Sequence, residues 1–494
     1  MTGLCGRLPP VNFIEDVVER FPAARPALIE LAAEGERRVH HFGELFARSA
    51  GLSGAFAARG VRRGDVVMTL IGSRPEWVLA MLACWRMGAV ALPCNPQLRR
   101  KDLELRAAAA DPKLAVGEQR YLGELPDGIP YMDMDDLARV FDEDREQETP
   151  AAVEDLAPDD PAAIVFTSGT TGEPRGVLYP QRYLPGQRLQ AEHWFGARDG
   201  ERAWCTAAPG WSKSTRNAFI APWLGGAVAV LHDGRFDPGE RLQLCEELGV
   251  GVLCQAPTEY RMLAKHGDLR PVPSLRRLVS AGEPIEPDVI RRFEQDLGLA
   301  IGDGYGQTET GAISGMRPDD RDPAHYGSMG RALPGIETRI VDEELQVLAA
   351  SSPTFFARYL DGEAFGGEWW ATGDRVREDA DGFLWFEGRS DDLILSSGYR
   401  IGPFEVESAL VSHPAVAEAA AVGAPDPERG SVVRAIVVLR DGVAPSAGLA
   451  TELQEHVKAQ TAPYKYPRIV EFAAELPKTP SGKIRRAELR AQLG

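Results

Sequence analysis

Between residues 75 and 117 the chain alternates helix and strand signals at short intervals, and this alternation restricts the fold more than any other feature. "PEWVLAMLACWRMG" (75–88) opens on proline and closes on glycine, the usual punctuation of a helix. "AVALP" (89–93) then reads as a short buried strand, "KDLELRAAAAD" (101–111) as a second helix and "KLAVG" (113–117) as a second strand. Alternation of this kind predicts parallel sheets with helices packed on their faces, an α/β fold. The apolar stretch 77–94 is broken by Arg86 and Gly88 and is too short to span a bilayer, so no membrane insertion is expected.

At 494 residues the chain exceeds one compact core, and two to four domains are expected. Acidic residues outnumber basic ones, 73 to 55, for a formal charge of −18; this argues against wholesale binding to nucleic acid or an anionic membrane. Six cysteines form no CxxC pair, and eight histidines form no HxxxH or HExxH. Reduced, mostly buried thiols are expected, and the pair His40-His41 is placed at the surface. "MTGLCGRLPPVNF" carries no charged and apolar leader, so a cytoplasmic location is expected.

Residues 141–160 are acidic, contain proline and hold few large apolar side chains, the composition of an exposed linker. "EPDVIRRFEQDLG" (286–298) places Val289, Ile290, Phe293 and Leu297 on one helical face. Near residue 388 the pattern changes to helix (403–412), strands "VAEAAAVG" and "VVRAIVVL", helix (449–459) and a basic tail, enough for a small α+β domain. The expected organisation is a large domain of mixed sheets, packed helices and a β-subdomain over 1–388. A hinge follows at 389–392, then a small mobile α+β domain over 393–494.

Five segments carry chemistry-bearing residues. "TSGTTGEPRG" (167–176) follows the apolar run "AAIVF"; its glycines let main-chain N–H groups approach an anion, its hydroxyls add donors, and Arg175 adds a bidentate charge. It is not a Walker A loop, and a plain turn remains open on these residues alone. "SAGEPIEP" (280–287) and "DGYGQTETG" (303–311) together offer Tyr305 as a flat face for a base and Asp303 as an acceptor. Thr308 is a donor to phosphate, and Glu309 an oxygen ligand for a hard cation. "WWATGD" (369–374) sets Asp374 after a tight turn. "EGRSDDLILSSGYRIGP" (387–403) and "PKTPSGKIRR" (477–486), with Lys483, complete the set.

In order and separation these segments resemble the adenylate-forming (AMP-binding) superfamily, with the greatest likeness to the medium-chain acyl-CoA synthetases. "GYGQTET", "DDLILSSGYRIGPFEVE", "APYKYPR" and "ELPKTPSGK" carry the likeness, which is strong from about 160 onward and looser over 11–140. The resemblance implies ATP, Mg²⁺ and coenzyme A as cofactors and a small carboxylic acid as substrate, in a monomer or homodimer. The acid attacks the α-phosphate to give acyl-AMP and pyrophosphate, and the coenzyme A thiol then displaces AMP.

By the same resemblance, Lys483 supplies positive charge to the first step, with Thr308 beside it and Glu309 holding Mg²⁺. Thr167, Ser168, Gly169, Thr170, Thr171, Gly172 and Arg175 hold the β- and γ-phosphates. Gly282, Glu283, Pro284, Asp303, Gly304, Tyr305, Gly306 and Gln307 surround the adenylate, with Tyr305 stacked on the base, and Asp374 and Arg389 bind ribose. Gln97 aligns with a glutamine that reaches the nucleotide. Asp391 is the hinge about which the small domain swings, replacing Lys483 by Ser397, Gly398, Tyr399 and Arg400. Arg429, Tyr466 and Arg468 meet coenzyme A, and Trp211 and Gly306 shape the acyl pocket, where glycine in place of a bulky ring admits a medium-chain or aromatic acid.

Three departures stand out. Arg175 replaces the lysine of most relatives, a planar fork in place of a point donor. A "GELxxRG" stretch is missing between 345–350 and 351–356, which predicts a trimmed β-subdomain. The leader of mitochondrial relatives is absent. Two rival readings stay open: an acyl-AMP ligase that loads a carrier protein, and a degenerate nucleotide-binding homologue.

Overall fold

The computed structural model describes residues 11–32, 35–141, 149–167, 174–389, 392, 394–396, 399–426, 430–478 and 484–491. The α/β expectation holds. A seven-stranded sheet runs in the order Arg358–Tyr359, Gly176–Pro180, Pro161–Phe166, Val90–Pro93, Val66–Leu70, Pro112–Gly117, Tyr131–Met132. Its five central and distal strands are parallel, and the first two pair antiparallel. The helix Pro75–Arg86 packs on it, with Pro75 at its start. All its residues except Glu76 are buried, which is why it reads as apolar all round.

A nine-stranded sheet follows the order Arg331–Ala332, Gly311–Gly315, Ile301–Gln307, Arg277–Ala281, Val250–Gln255, Arg202–Cys205, Val228–His232, Pro26–Leu31, Arg37–His41. Its middle is parallel and its edges antiparallel. From Arg202–Cys205 the chain winds one way into Val228–His232. From the adjacent Val250–Gln255 it winds the other way through Arg277–Ala281 to Ile301–Gln307. That reversal marks the crevice at the carboxyl ends of the parallel strands as the place for a ligand.

Aromatic side chains lock the two sheets together. Phe13 meets Trp85 edge-on at 5.3 Å, Trp77 meets Phe219 at 5.6 Å, and Phe219 meets Trp223 at 5.0 Å between ring centres. The Trp85 indole donates to the Ala162 carbonyl at 3.1 Å in one sheet, and that of Trp223 to Ala27 at 2.9 Å in the other. The Trp85 and Trp223 indoles thus keep partners while their rings fill the core.

The β-subdomain is a four-stranded antiparallel sheet of Thr338–Val341, Glu344–Leu348, Trp369–Glu378 and Leu384–Arg389. The C-terminal unit is a five-stranded sheet, Tyr399–Ile401, Ile394–Ser396, Gly430–Leu439 and Val416–Asp426, with Ile469–Ala473 parallel to Gly430–Leu439. Its helices are Pro403–Val411, Ala447–Gln460 and Arg486–Ala491. It touches the subdomain through Phe386 and Phe404, whose rings lie 6.2 Å apart, and through Gly402. A side chain at Gly402 would place its Cβ 2.2 Å from the Glu387 carbonyl oxygen.

Two expectations are corrected. The stretch 141–160 is not an exposed linker along its described second half. Leu156 is buried and bridges Val11, Arg86 Nε donates to the Ala151 carbonyl at 2.8 Å, and Asn12 Nδ2 donates to Glu154 at 3.0 Å. Backbone groups, invisible to composition, do this pinning. His40 is likewise buried, not superficial, and lies between Glu30 Oε2 at 3.2 Å and Glu44 Oε1 at 3.1 Å.

Candidate active site

The site forms where the strand Ile301–Gln307 leaves the large sheet and meets the subdomain strand Trp369–Glu378. Tyr305 donates its hydroxyl to Asp374 Oδ2, and Gln307 Nε2 donates to the same oxygen at 2.8 Å. Arg389, register partner of Asp374 across the antiparallel pair, donates to Oδ1 at 3.1 Å and to the Thr372 carbonyl at 3.0 Å. The Asp374 N–H bonds Thr372 Oγ1 at 3.1 Å. Burial pushes the Asp374 carboxyl above its usual range, opposed by Arg389, Tyr305 and Gln307. A carboxylate fixed by three donors and set beside an aromatic face suits a vicinal diol next to a base.

Gln307 is itself held, its Oε1 accepting from Trp370 Nε1 at 3.0 Å. The next two residues are tied to the smaller sheet. The Thr308 carbonyl accepts from the Tyr179 hydroxyl at 2.8 Å, and Glu309 Oε1 accepts from the Tyr359 hydroxyl at 2.7 Å. Arg175 lies 3.6 Å over the Tyr359 ring and grips Asp361 with two nitrogens, at 2.8 Å from Nη2 and 3.2 Å from Nε. Its charge is therefore engaged with an exposed carboxylate, a pairing weak enough to exchange for phosphate. Thr167 closes the neck of that loop. Its N–H donates to the Arg175 carbonyl at 3.0 Å, and its Oγ1 accepts from the Arg175 N–H at 3.2 Å.

On the far wall, Arg261 clamps the "GEP" turn, donating to Glu283 at 3.1 Å, Glu286 at 2.8 Å and the Pro284 carbonyl at 2.8 Å. Gly282 takes φ +102° with open space where a Cβ would stand. Asp303 is 3% exposed, and its Oδ1 has no hydrogen-bond partner. Burial drives its carboxyl well above the normal range. An orphaned acceptor at the end of a parallel strand fits the amino group of a base. Gly304 is obligatory for packing, because a Cβ there would lie 2.6 Å from Trp194 Nε1.

Several expected residues stand elsewhere. Gln97 lines a cavity of about 500 Å³ with Pro96, Arg99, Arg120, Tyr121 and Glu124, none of which belongs to the constellation around Asp374. Trp211 is half-buried at the start of the helix Ser212–Asn217, and the preceding Gly210 leaves no room for a Cβ against Asn95. At Gly306 the direction of a Cβ is already occupied by backbone. A Cβ would lie 1.8 Å from the Gly311 carbonyl oxygen, because the hairpin partner passes directly behind it. Tyr399 and Arg400 form the strand Tyr399–Ile401. The Tyr466 ring sits beneath Lys458 at 4.2 Å and Arg468 at 4.9 Å. Ser168, Gly169, Thr170, Thr171, Gly172, Asp391, Ser397, Gly398, Arg429 and Lys483 lie outside the described residues.

Residues 352–356 form a buttress. Ser352 and Thr354 hydroxyls both donate to the Thr310 carbonyl, at 3.0 and 2.9 Å, and Phe356 N–H donates to that of Glu309 at 2.8 Å. Sequence reading missed Tyr359, Arg261 and this buttress, for which no motif or periodicity exists. It also passed over the two cations inside "GWSKSTRNAF", Lys213 and Arg216, whose signal is charge within an otherwise apolar stretch.

This combination of α/β body, subdomain carboxylate and aromatic-faced nucleotide crevice is that of an adenylate-forming ligase. The sequence profile of the AMP-binding enzyme family matches residues 14–376, and that of the AMP-binding enzyme C-terminal domain matches 405–483; the chain belongs to this family. It is 37% identical to an uncharacterized acyl-CoA ligase of Bacillus subtilis, over 98% of this chain and 96% of that one. It is 36% identical to the mitochondrial acyl-coenzyme A synthetase ACSM3 of Mus musculus, over 97% and 90%. Among solved structures, an anthranilate CoA ligase in complex with anthranoyl-AMP superposes with a TM-score of 0.87 at 29% identity, covering 98% of both chains. The chain is thus an AMP-forming acid–thiol ligase of the acyl-CoA synthetase type, which uses ATP and coenzyme A.

Proposed function

We propose that the protein activates a medium-chain or aromatic carboxylic acid in the cytoplasm. A carboxylate oxygen attacks the α-phosphorus of ATP, the bond to pyrophosphate breaks, and acyl-AMP forms. The coenzyme A thiolate then attacks the acyl carbon and AMP departs. The observation that supports this reading best is the Tyr305–Asp374–Arg389 constellation. It offers a ring for the base and an oriented carboxylate for the ribose. Glu309, a hard oxygen ligand held by Tyr359, fits Mg²⁺, which would neutralise charge on the triphosphate. Thr167 and Arg175 frame the loop assigned to the β- and γ-phosphates, and Lys483 adds charge at the α-phosphate. Electrostatic positioning of this type supplies most of the acceleration.

In this reading the small unit, 393–494, pivots about 389–392 between the two half-reactions, bringing Gly398, Tyr466 and Arg468 to coenzyme A. The test is acid-dependent exchange of pyrophosphate into ATP over C2–C12 and aromatic acids, followed by thioester formation with free coenzyme A. Exchange with thioester formed only on a carrier protein would replace coenzyme A as acceptor. No exchange with any acid would overturn the proposal.

A further inference from the structure

The helix Ser212–Asn217 carries two cations that the chemistry above does not use, Arg216 buried and Lys213 half-buried. It sits against the crevice. The Tyr179 hydroxyl joins Ser212 Oγ at 3.0 Å to the Thr308 carbonyl at 2.8 Å. Lys213 Nζ donates to the carbonyls of Gln255 and Ala281, the last residues of adjacent parallel strands. That is the carboxyl edge of the large sheet, one strand from the point where the winding reverses.

Arg216, three residues on and so a neighbour on the helix surface, is 6% exposed, and its Nε and Nη1 have no hydrogen-bond partner. Its guanidinium is within electrostatic reach of the Tyr179 and Tyr183 hydroxyls and of Cys254; Lys213 reaches Cys205, Cys254 and Asp303. Among the described residues neither cation forms an ion pair with a carboxylate, whereas buried Arg241 has Glu259 at 3.5 Å and Arg434 has Glu471. Asp303 senses the Lys213 charge but makes no ion pair with either cation.

A buried, unpaired guanidinium is costly unless an anion joins it. A lining with the Arg216 guanidinium is equally unsuited to an alkyl tail, whose burial supplies no acceptor for its open donors. We infer that Lys213 and Arg216 form an anion-reading subsite in the acyl pocket, and that the acid activated here carries a second carboxylate at its far end. The inference rests on the activity proposed above and narrows its substrate class.

The experiment compares matched pairs of acids, hexanoate with adipate and benzoate with isophthalate, by kcat/KM in pyrophosphate exchange. The wild-type protein is expected to favour the dicarboxylate of at least one pair by about tenfold or more. Arg216→Met and Lys213→Met are each expected to reverse that preference while the KM for ATP stays within about twofold. A wild-type preference for the monoacid in both pairs overturns the inference and needs no variant. So does a preference that both folded variants leave unmoved. Exchange with monoacids alone removes this inference and keeps the proposed activity; exchange with no acid removes both.

Discussion

At the residue scale, Asp374 shows how far sequence reading reaches. Likeness implies a ribose-binding role for it, but the hydroxyl of Tyr305 on one oxygen and Arg389 on the other were not legible, because the contacts join three separate segments. A hydrogen bond to a charged group contributes roughly 1.5–3 kcal/mol. Tyr305→Phe keeps the stacking face and removes the bond, so the KM for ATP should rise by about tenfold or more while the melting temperature changes little. An unchanged KM would detach Asp374 from nucleotide binding.

His40 gives a prediction about pH. Burial alone lowers the imidazole pKa, but hydrogen bonds to Glu30 and Glu44 outweigh it, and the net shift is upward from 6.5. Glu30 is shifted down from 4.5, chiefly by its bond to His40. The imidazolium therefore adds stability that is complete below the unfolded value of 6.5 and fades as pH rises through the higher folded value. The carboxylate adds stability present above 4.5 and lost as pH falls through its lower folded value. The melting-temperature gap between wild type and His40→Gln should be widest between these two values and close at alkaline pH. A gap constant from pH 5 to 9 would show a neutral ring.

At the element scale, legibility followed periodicity and punctuation. The helices expected over 75–88, 101–111 and 286–298 appear as Pro75–Arg86, Arg100–Ala110 and Pro287–Leu297, because proline starts and apolar spacing are local signals. In the last of these, Ile290, Phe293 and Leu297 are buried as their spacing requires. The stretch 151–156 was misread because its own main-chain carbonyls, which accept from the Asn12 and Arg86 side chains, hold it to the core. What the residues after 350 do was not legible. They bring Ser352 and Thr354 under the Thr310 carbonyl and so stiffen the turn that carries Thr308 and Glu309. A buried neutral hydrogen bond contributes about 1 kcal/mol. Thr354→Val is expected to lower stability by roughly that amount and kcat for exchange severalfold, with the KM for acid nearly unchanged. A full loss of stability with unaltered kcat would make the buttress merely structural.

At the scale of the whole molecule, the change of texture near 388 falls between the subdomain strand Leu384–Arg389 and a five-stranded sheet with its own apolar cluster. The contact between the units was not legible, because it joins Gly402 and Phe404 to the Glu387 carbonyl and Phe386 across the junction. Gly402 packs against the Glu387 carbonyl with no space for a methyl group, beside the edge contact of Phe386 with Phe404. Asp392 ties the junction to the last helix through Arg490 at 2.8 Å, and Arg486 links it onward to Glu407 at 2.6 Å. Glu387 and Gly402 flank the proposed pivot, so a substitution at 402 acts on the arrangement of the units without touching either reaction centre. Gly402→Ala should therefore disfavour the arrangement seen here and change the two half-reactions unequally. Measured separately, pyrophosphate exchange and thioester formation from supplied acyl-AMP should diverge by about tenfold if the displaced arrangement serves one of them. Lys483→Ala sets the scale for divergence. Loss of a preorganised cationic contact costs about 3–4 kcal/mol, or roughly 10²–10³ in the exchange rate, and should spare the thioester step. If Gly402→Ala slows both halves equally while Lys483→Ala separates them, the amine has one role and the units need not rotate between steps. If both variants separate the halves, a single crevice serves two reactions by exchanging which face of the small unit closes it.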